Sequence, residues 1–157
     1  MLDFVKNEGE LAAVLAHEFG HVQLRHPTKN VVQGATLGVL MTLLIGDVAG
    51  GLALTGLGTA TLQSSYSRDA EREADAVELE LMQRSGLDIE DSARFFKRLQ
   101  DKGGDQDGLM SFLSSHPPLK ERVATARNKA RQRLPRRYIT KILTRSEWSK
   151  IKTMCGT

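Results

Sequence analysis

A chain of 157 residues, 40% hydrophobic and 26% charged, is long enough for one domain with a real core and too apolar for a disordered one. Its single cysteine excludes a disulfide framework and a thiolate zinc cluster, and 5% aromatic residues argue against a base-stacking RNA binder. The net charge of +3 hides a division, because residues 1–116 carry 10 basic and 17 acidic side chains (−7) and residues 117–157 carry 12 basic and 2 acidic (+10).

The opening Met1-Leu2-Asp3-Phe4 lacks the basic, apolar and small-residue order of a signal peptide. Asn7 and Glu10 are spaced as a capping box, and Leu11, Val14, Leu15, Phe19 and Val22 then recur at helical spacing, which predicts a half-buried helix. Pro27 ends it at about Arg25, with His26 read as a C-terminal cap and not as a metal ligand. Residues 31–62 stand apart, with 7 of the 14 glycines and one charge, Asp47. Gly46, Asp47, Gly50 and Gly51 divide this stretch into Val31–Ile45 and Val48–Leu62, each shorter than the about 20 apolar residues that span a bilayer. The expectation is a buried or interfacial helical hairpin, serving as core or as a membrane-touching element beside a site.

Further helices are predicted from Ser67 to Arg84, with Gly86 past the end, and from Asp88 and Asp91 to Gly103-Gly104, with Phe95, Phe96 and Leu99 as core. An acidic, glycine-rich loop covers 103–108. Pro117-Pro118 suits the start of a fourth helix running to about Leu134. Tyr138 to Ile142 reads as a short strand, Thr144 and Glu147 as the capping box of a last helix, and Cys155 as a free surface thiol. The fold class is mainly α, with little sheet. A core over 1–134, including the 31–62 insertion, precedes a basic extension over 135–157. Arg127, Lys129, Arg131, Arg133, Arg136 and Arg137 have no interleaved aromatics, so no nucleic-acid partner is expected. A solvated face docked on the acidic body is the favoured reading of this run.

The chemistry is concentrated in His17-Glu18-Phe19-Gly20-His21, an H-E-x-x-H pattern. Residues four apart share a helix face, so both imidazoles reach one metal, and Glu18 lies about 100° round the helix, close enough to address an attacking water. A hydrolytic zinc site takes three protein ligands and keeps one position open. The third ligand of the pattern H-E-x-x-H-x-x-G-x-x-H would need Gly and His at 24 and 27, which are Leu24 and Pro27. A carboxylate from a later helix fits instead. Glu71 and Asp75 share a face, so Glu71 can ligate while Asp75 accepts a hydrogen bond from a ligand imidazole. Alone, Glu71 beside Arg68, Arg72, Glu73 and Glu78 would read as part of a salt-bridged, solvated helix. Paired with the histidines it reads as the ligand.

These two motifs, together with Ser115-His116-Pro117-Pro118 and Arg122, resemble the M48 metallopeptidases over about residues 7–127. That family includes the membrane CAAX prenyl endopeptidase, the heat-shock membrane protease HtpX and bacterial periplasmic relatives. The resemblance implies a zincin-like peptidase core holding one Zn2+ through His17, His21 and Glu71. Glu18 would be the catalytic base, with Asp75 behind a ligand, His116 facing the site and Arg122 in a structural role. For His116 three readings stand open: oxyanion donor, fourth ligand, or cap of the following helix. Tyr66 is a weaker oxyanion candidate. Family members usually carry strands before the H-E-x-x-H helix; only six residues precede Asn7 here, so a trimmed chain or a substrate edge from elsewhere is expected. The implied activity is zinc-dependent endopeptidase action on protein or peptide substrates in bacterial envelope quality control, in the periplasm or at a membrane. Residues 31–62 and the basic tail would supply membrane contact. The rival reading is a metal-stabilised, chaperone-like or assembly module with a latent site.

Overall fold

The computed structural model describes residues 2, 4–45, 66–102, 114–116, 120–132 and 139–154. Its elements are α1 (Glu8–Gln23), α2 (His26–Ile45), α3 (Arg68–Arg84), α4 (Ile89–Lys102), α5 (Lys120–Arg131) and α6 (Arg145–Thr153), and no strand occurs among the described residues. The mainly α class follows. Residues 139–142, expected as a strand, have no ladder; Thr140 donates one backbone hydrogen bond, 2.8 Å to the Gly86 carbonyl, and nothing extends it. Tyr138, Cys155, Pro117-Pro118, Leu134 and the 103–108 loop lie outside the described residues.

Helix ends mostly follow local chemistry. Asn7 Oδ1 accepts the Glu10 N–H at 2.8 Å, as expected of an N-cap. The reciprocal half of that box is absent, because Glu10 accepts from the Lys6 N–H at 2.8 Å and buries its carboxylate against Arg98 of α4. Ser67 caps α3, and Gly86 takes the left-handed conformation just past its end (φ 68°). Both bonds of the Thr144–Glu147 capping box are present.

The α1–α2 junction departs from expectation. Arg25 adopts φ 56°, a left-handed turn, and His26 opens α2 instead of capping α1. Pro27 thus occupies the first turn of a helix, where its missing N–H leaves no gap. Residues 31–45 continue this 20-residue helix, so the first arm of the expected hairpin is the body of α2. Val31, Val32, Val39, Leu40 and Leu43 are exposed along it, not buried. The second arm, 48–62, lies outside the described residues, among which no helix is long and apolar enough to cross a membrane.

The core joins Phe4, Val5, Val14, Leu79, Met82, Ile89, Phe95, Phe96, Leu99, Val123 and Ala126, which bears out the reading of Phe95, Phe96 and Leu99. Phe4 meets Phe95 edge-on at 5.7 Å, and Lys152 of α6 donates to the Val5 carbonyl at 3.3 Å, tying both ends of the described chain to this core. The buried face of α1, however, is not its most apolar one. Gly9, Glu10, Ala13, Val14, His17, Gly20 and His21 are buried, whereas Leu15, Phe19 and Val22 are 60%, 51% and 66% exposed.

Close approach decides which face turns inward. A Cβ at Gly20 would lie 2.9 Å from the Ala74 carbonyl oxygen and 3.0 Å from Ala74 Cα. Both are backbone atoms of α3 and cannot swing away. Glycine inside a helix ordinarily costs about 0.5–1 kcal/mol relative to alanine, but overpacking costs about 1–3 kcal/mol. We therefore expect Gly20→Ala to lower the unfolding free energy by about 1–2 kcal/mol. Denaturant unfolding measures it, and a stabilised variant would show that α1 and α3 are not held this close.

Candidate metal centre

α1 and α3 cross at the two motifs. His17 and His21 point their Nε2 atoms at each other, 3.1 Å apart. The Glu71 carboxylate closes the triangle, with Oε2 3.5 Å from His17 Nε2 and Oε1 3.3 Å from His21 Nε2. Ligands about 2.0–2.1 Å from a shared tetrahedral zinc stand about 3.3 Å from one another, so the donor set fits that ion without rearrangement. All three side chains are buried. Glu18 lies on the open flank, its carboxylate 44% exposed and Oε1 3.5 Å from His116 Nε2.

Around the triangle sits a second set of charges. Asp75, one turn beyond Glu71, lies 3.0 Å from His17 Nδ1 and accepts from Arg122 at 2.7 and 2.9 Å. Arg122 also donates to Glu71 Oε2 at 2.8 Å, and its guanidinium lies 4.2 Å from the centre of the Phe96 ring. Burial works against a charge on His17, but Asp75 and Glu71 outweigh it and hold the imidazole pKa at about 9. Burial likewise works against the Glu71 anion, which His17, His21 and Arg122 nevertheless hold at about 2. His116 goes the other way. Burial, with the nearby cations, depresses it to about 4, which makes it a neutral imidazole at pH 7.

His116 joins His17, His21 and Glu71 in one cluster whose donor atoms lie within 4.8 Å of one another. Ser115 Oγ lies 2.9 Å from its Nδ1. Tyr66 stacks on the His21 ring at 3.9 Å and donates its backbone N–H to the Ser115 carbonyl at 2.9 Å. The structure thus brings His17, Glu18, His21, Tyr66, Glu71, Asp75, His116 and Arg122 together. It adds three that had no place in the site by sequence: Gly20, which sets the helix spacing, Glu78, one turn beyond Asp75, and His26, read there as a helix cap. The last is buried against His21, five residues earlier, a separation that does not share a helix face and is closed only by the left-handed turn at Arg25.

Residues 1–130 match the family model described as peptidase family M48, and the chain belongs to that family. The family defines the class, a metallopeptidase core, and the cluster of His and Glu donors is compatible with a metal ion. Among relatives, the beta-barrel assembly-enhancing protease of Escherichia coli (strain K12) is 33% identical over 140 residues, covering 82% of this chain and 29% of that protein. The mitochondrial metalloendopeptidase OMA1 of Arabidopsis thaliana is 31% identical over 122 residues, covering 78% of this chain and 24% of that protein. Metalloprotease YcaL of Escherichia coli (strain K12) is 30% identical over 137 residues, covering 78% and 50% respectively. The chain therefore spans half or less of the length of each of these three proteins.

Glu78 lies 3.8 Å from His17 Nδ1, and its complete burial pushes the carboxyl up to about 8. The folded value exceeds the ordinary 4.5, so the protonated acid contributes stability that is fully present below about 4.5 and lost as pH rises to about 8. Glu78→Gln removes this titration. The variant should gain on the parent between about pH 5 and about pH 8, and no further above it. Unfolding of the metal-free proteins at the two pH values measures the gap; an unchanged gap would mean that Glu78 ionises normally in the fold.

Proposed function

We propose that this chain is the core of a zinc-dependent metalloendopeptidase acting on protein substrates, in quality control at a bacterial cell envelope, with one Zn2+ per chain. Residues 1–134 form the peptidase core and 135–157 a basic extension. The observation that carries the reading is the convergence of His17, His21 and Glu71 at 3.1 to 3.5 Å beside an accessible Glu18. The Escherichia coli relative named for enhancing β-barrel assembly supports the envelope setting.

Zinc, when bound, polarises the scissile carbonyl and acidifies water. Glu18 takes the proton of the attacking water on its carboxylate and returns it to the leaving amine. Asp75 holds the His17 proton on Nδ1, leaving the Nε2 lone pair for the metal. Arg122 fixes the Glu71 and Asp75 carboxylates relative to each other.

His116 has two uses that differ in the position of one proton. If Ser115 donates to Nδ1, the proton sits on Nε2 and is available to a developing oxyanion. If Nδ1 donates to Ser115, the Nε2 lone pair faces the cluster as a fourth ligand and the site is latent. The 4.8 Å cluster favours this second reading enough to keep it.

Glu18→Gln should abolish casein hydrolysis by the zinc-loaded chain while zinc content stays unchanged, and a chelator should abolish the parent's activity. Equal turnover by parent and variant would sink the mechanism. In the same assay His116→Ala separates its two roles: kcat falls by about 10²–10³ if it serves the oxyanion, and turnover rises if it closes the site. Membrane-surface contact through 31–62 and the basic tail is supported by the exposed Val31, Val32, Val39, Leu40 and Leu43 of α2. Flotation with anionic liposomes should recover the chain at low salt and less of it at high salt; the absence of flotation at low salt would reject the contact.

A further inference from the structure

The two histidines of the H-E-x-x-H motif are held by different means. His17 leans directly on a carboxylate, Asp75. Among the described residues His21 has no carboxylate within reach of its Nδ1; there, at 2.9 Å, stands Nδ1 of the buried His26. The other His26 nitrogen, Nε2, lies 3.0 Å from Glu73 Oε2, on a carboxylate 54% exposed at the surface of α3.

The proton positions along this row are interdependent. His21 Nε2 faces Glu71 and His17, so it must offer a lone pair there to act as a ligand. Its proton then sits on Nδ1, where the nearby acceptor among the described residues is His26 Nδ1. That obliges His26 to carry its own proton on Nε2, which donates a hydrogen bond to Glu73 Oε2. The fold spends unusual backbone on this alignment, since the left-handed Arg25 turns the chain so that His26 meets the His21 ring edge-on, 5.0 Å between centres. Tyr66 covers another face of His21.

We propose that His26 and Glu73 are positioning residues of the metal site, a hydrogen-bonded row that fixes the tautomer and ring orientation of His21 and passes the Glu73 charge to it. This rests on the zinc reading above. Each zinc imidazole then has its own carboxylate on α3, Asp75 directly for His17 and Glu73 through His26 for His21.

The test uses the full chain, with zinc affinity read by competition with a chromophoric chelator and ligand geometry by the visible spectrum of the cobalt(II) form. His26→Ala should weaken zinc binding by about 10–100-fold and alter the cobalt bands. Glu73→Ala should weaken it by a smaller factor, and that factor should vanish when His26 is already alanine. The cycle matters because a charge lost through space would act equally in both backgrounds. Should His26→Ala fail to fold, as melting of the metal-free protein would reveal, Glu73→Ala at its exposed site still decides. Parent-like zinc affinity and cobalt bands in that variant, or an equal Glu73 effect with and without His26, would overturn the row. A parent chain that takes up neither metal would overturn the zinc reading along with it.

Discussion

The structure depends on burying several charges between two closely packed helices without leaving any of them unmatched. An ion taken from water into a protein interior loses several kcal/mol of solvation unless partners replace it (on the order of that, after relaxation). At the α1–α3 crossing the matching is close. The Glu71 and Asp75 carboxylates face the Arg122 guanidinium and a His17 imidazole that burial alone would keep neutral. Two negative groups meet two positive ones, and for a further, fully buried carboxyl the cost of burial outweighs what His17 and Arg122 offer it. Glu78, on the same face of α3, therefore stays an acid up to about pH 8. A divalent ion held by His17, His21 and Glu71 would bring positive charge to the same place as the His17 proton.

That balance requires a short distance between helix axes, and the sequence supplies it with glycine and alanine where a reader of hydrophobic patterns looks for leucine. The spacing His17–His21 and the spacing Glu71–Asp75 were both legible because four residues make nearly one helical turn, so spacing alone places each pair on one face. The buried flank of α1 was not legible by the same means. Leu15, Phe19 and Val22 form the more apolar stripe, yet they are exposed, because the face carrying His17 and His21 must also carry Gly20 for α3 to come near.

Other departures have equally local causes. Proline signals both the end of one helix and the first turn of the next, and only the left-handed Arg25 decides that Pro27 belongs to the second. Read as a stop, it turns His26 into a cap; read as a start, it sends the His26 ring back over His21. Tyr138 to Ile142 is rich in residues that favour strands, but a strand exists only with a partner, and Gly86 offers one carbonyl. Glu10 leaves its expected place in the capping box because Arg98, 88 residues on, provides a buried counter-ion that a local rule cannot see. Arg122 and His116 belong to the same kind, since their places beside His17 are set by the course of the whole chain. Residue pattern alone gave no reason to connect them, and only their likeness to a family did.

The division of charge along the chain takes on a different meaning at this point. The basic segment after residue 116 is not a uniform positive surface. Its Arg122 is buried at the centre of the acidic body, and its Lys152 reaches backbone carbonyls of the opening segment. Part of the excess positive charge is thus committed internally, Arg122 to the Glu71 and Asp75 carboxylates and Lys152 to backbone carbonyls. α3 concentrates that acidity: within two turns Glu71 faces both imidazoles, Asp75 backs His17, Glu73 closes the row through His26, and Glu78 lies beyond as a neutral acid. Because Glu71, Asp75 and Glu78 follow one another by four and three residues, they occupy one buried stripe, whereas Glu73, two residues from Glu71 and Asp75, falls to the side and reaches solvent. Helical geometry therefore separates the buried carboxyls at the site from the exposed one at its edge, using side chains of a single chemical kind.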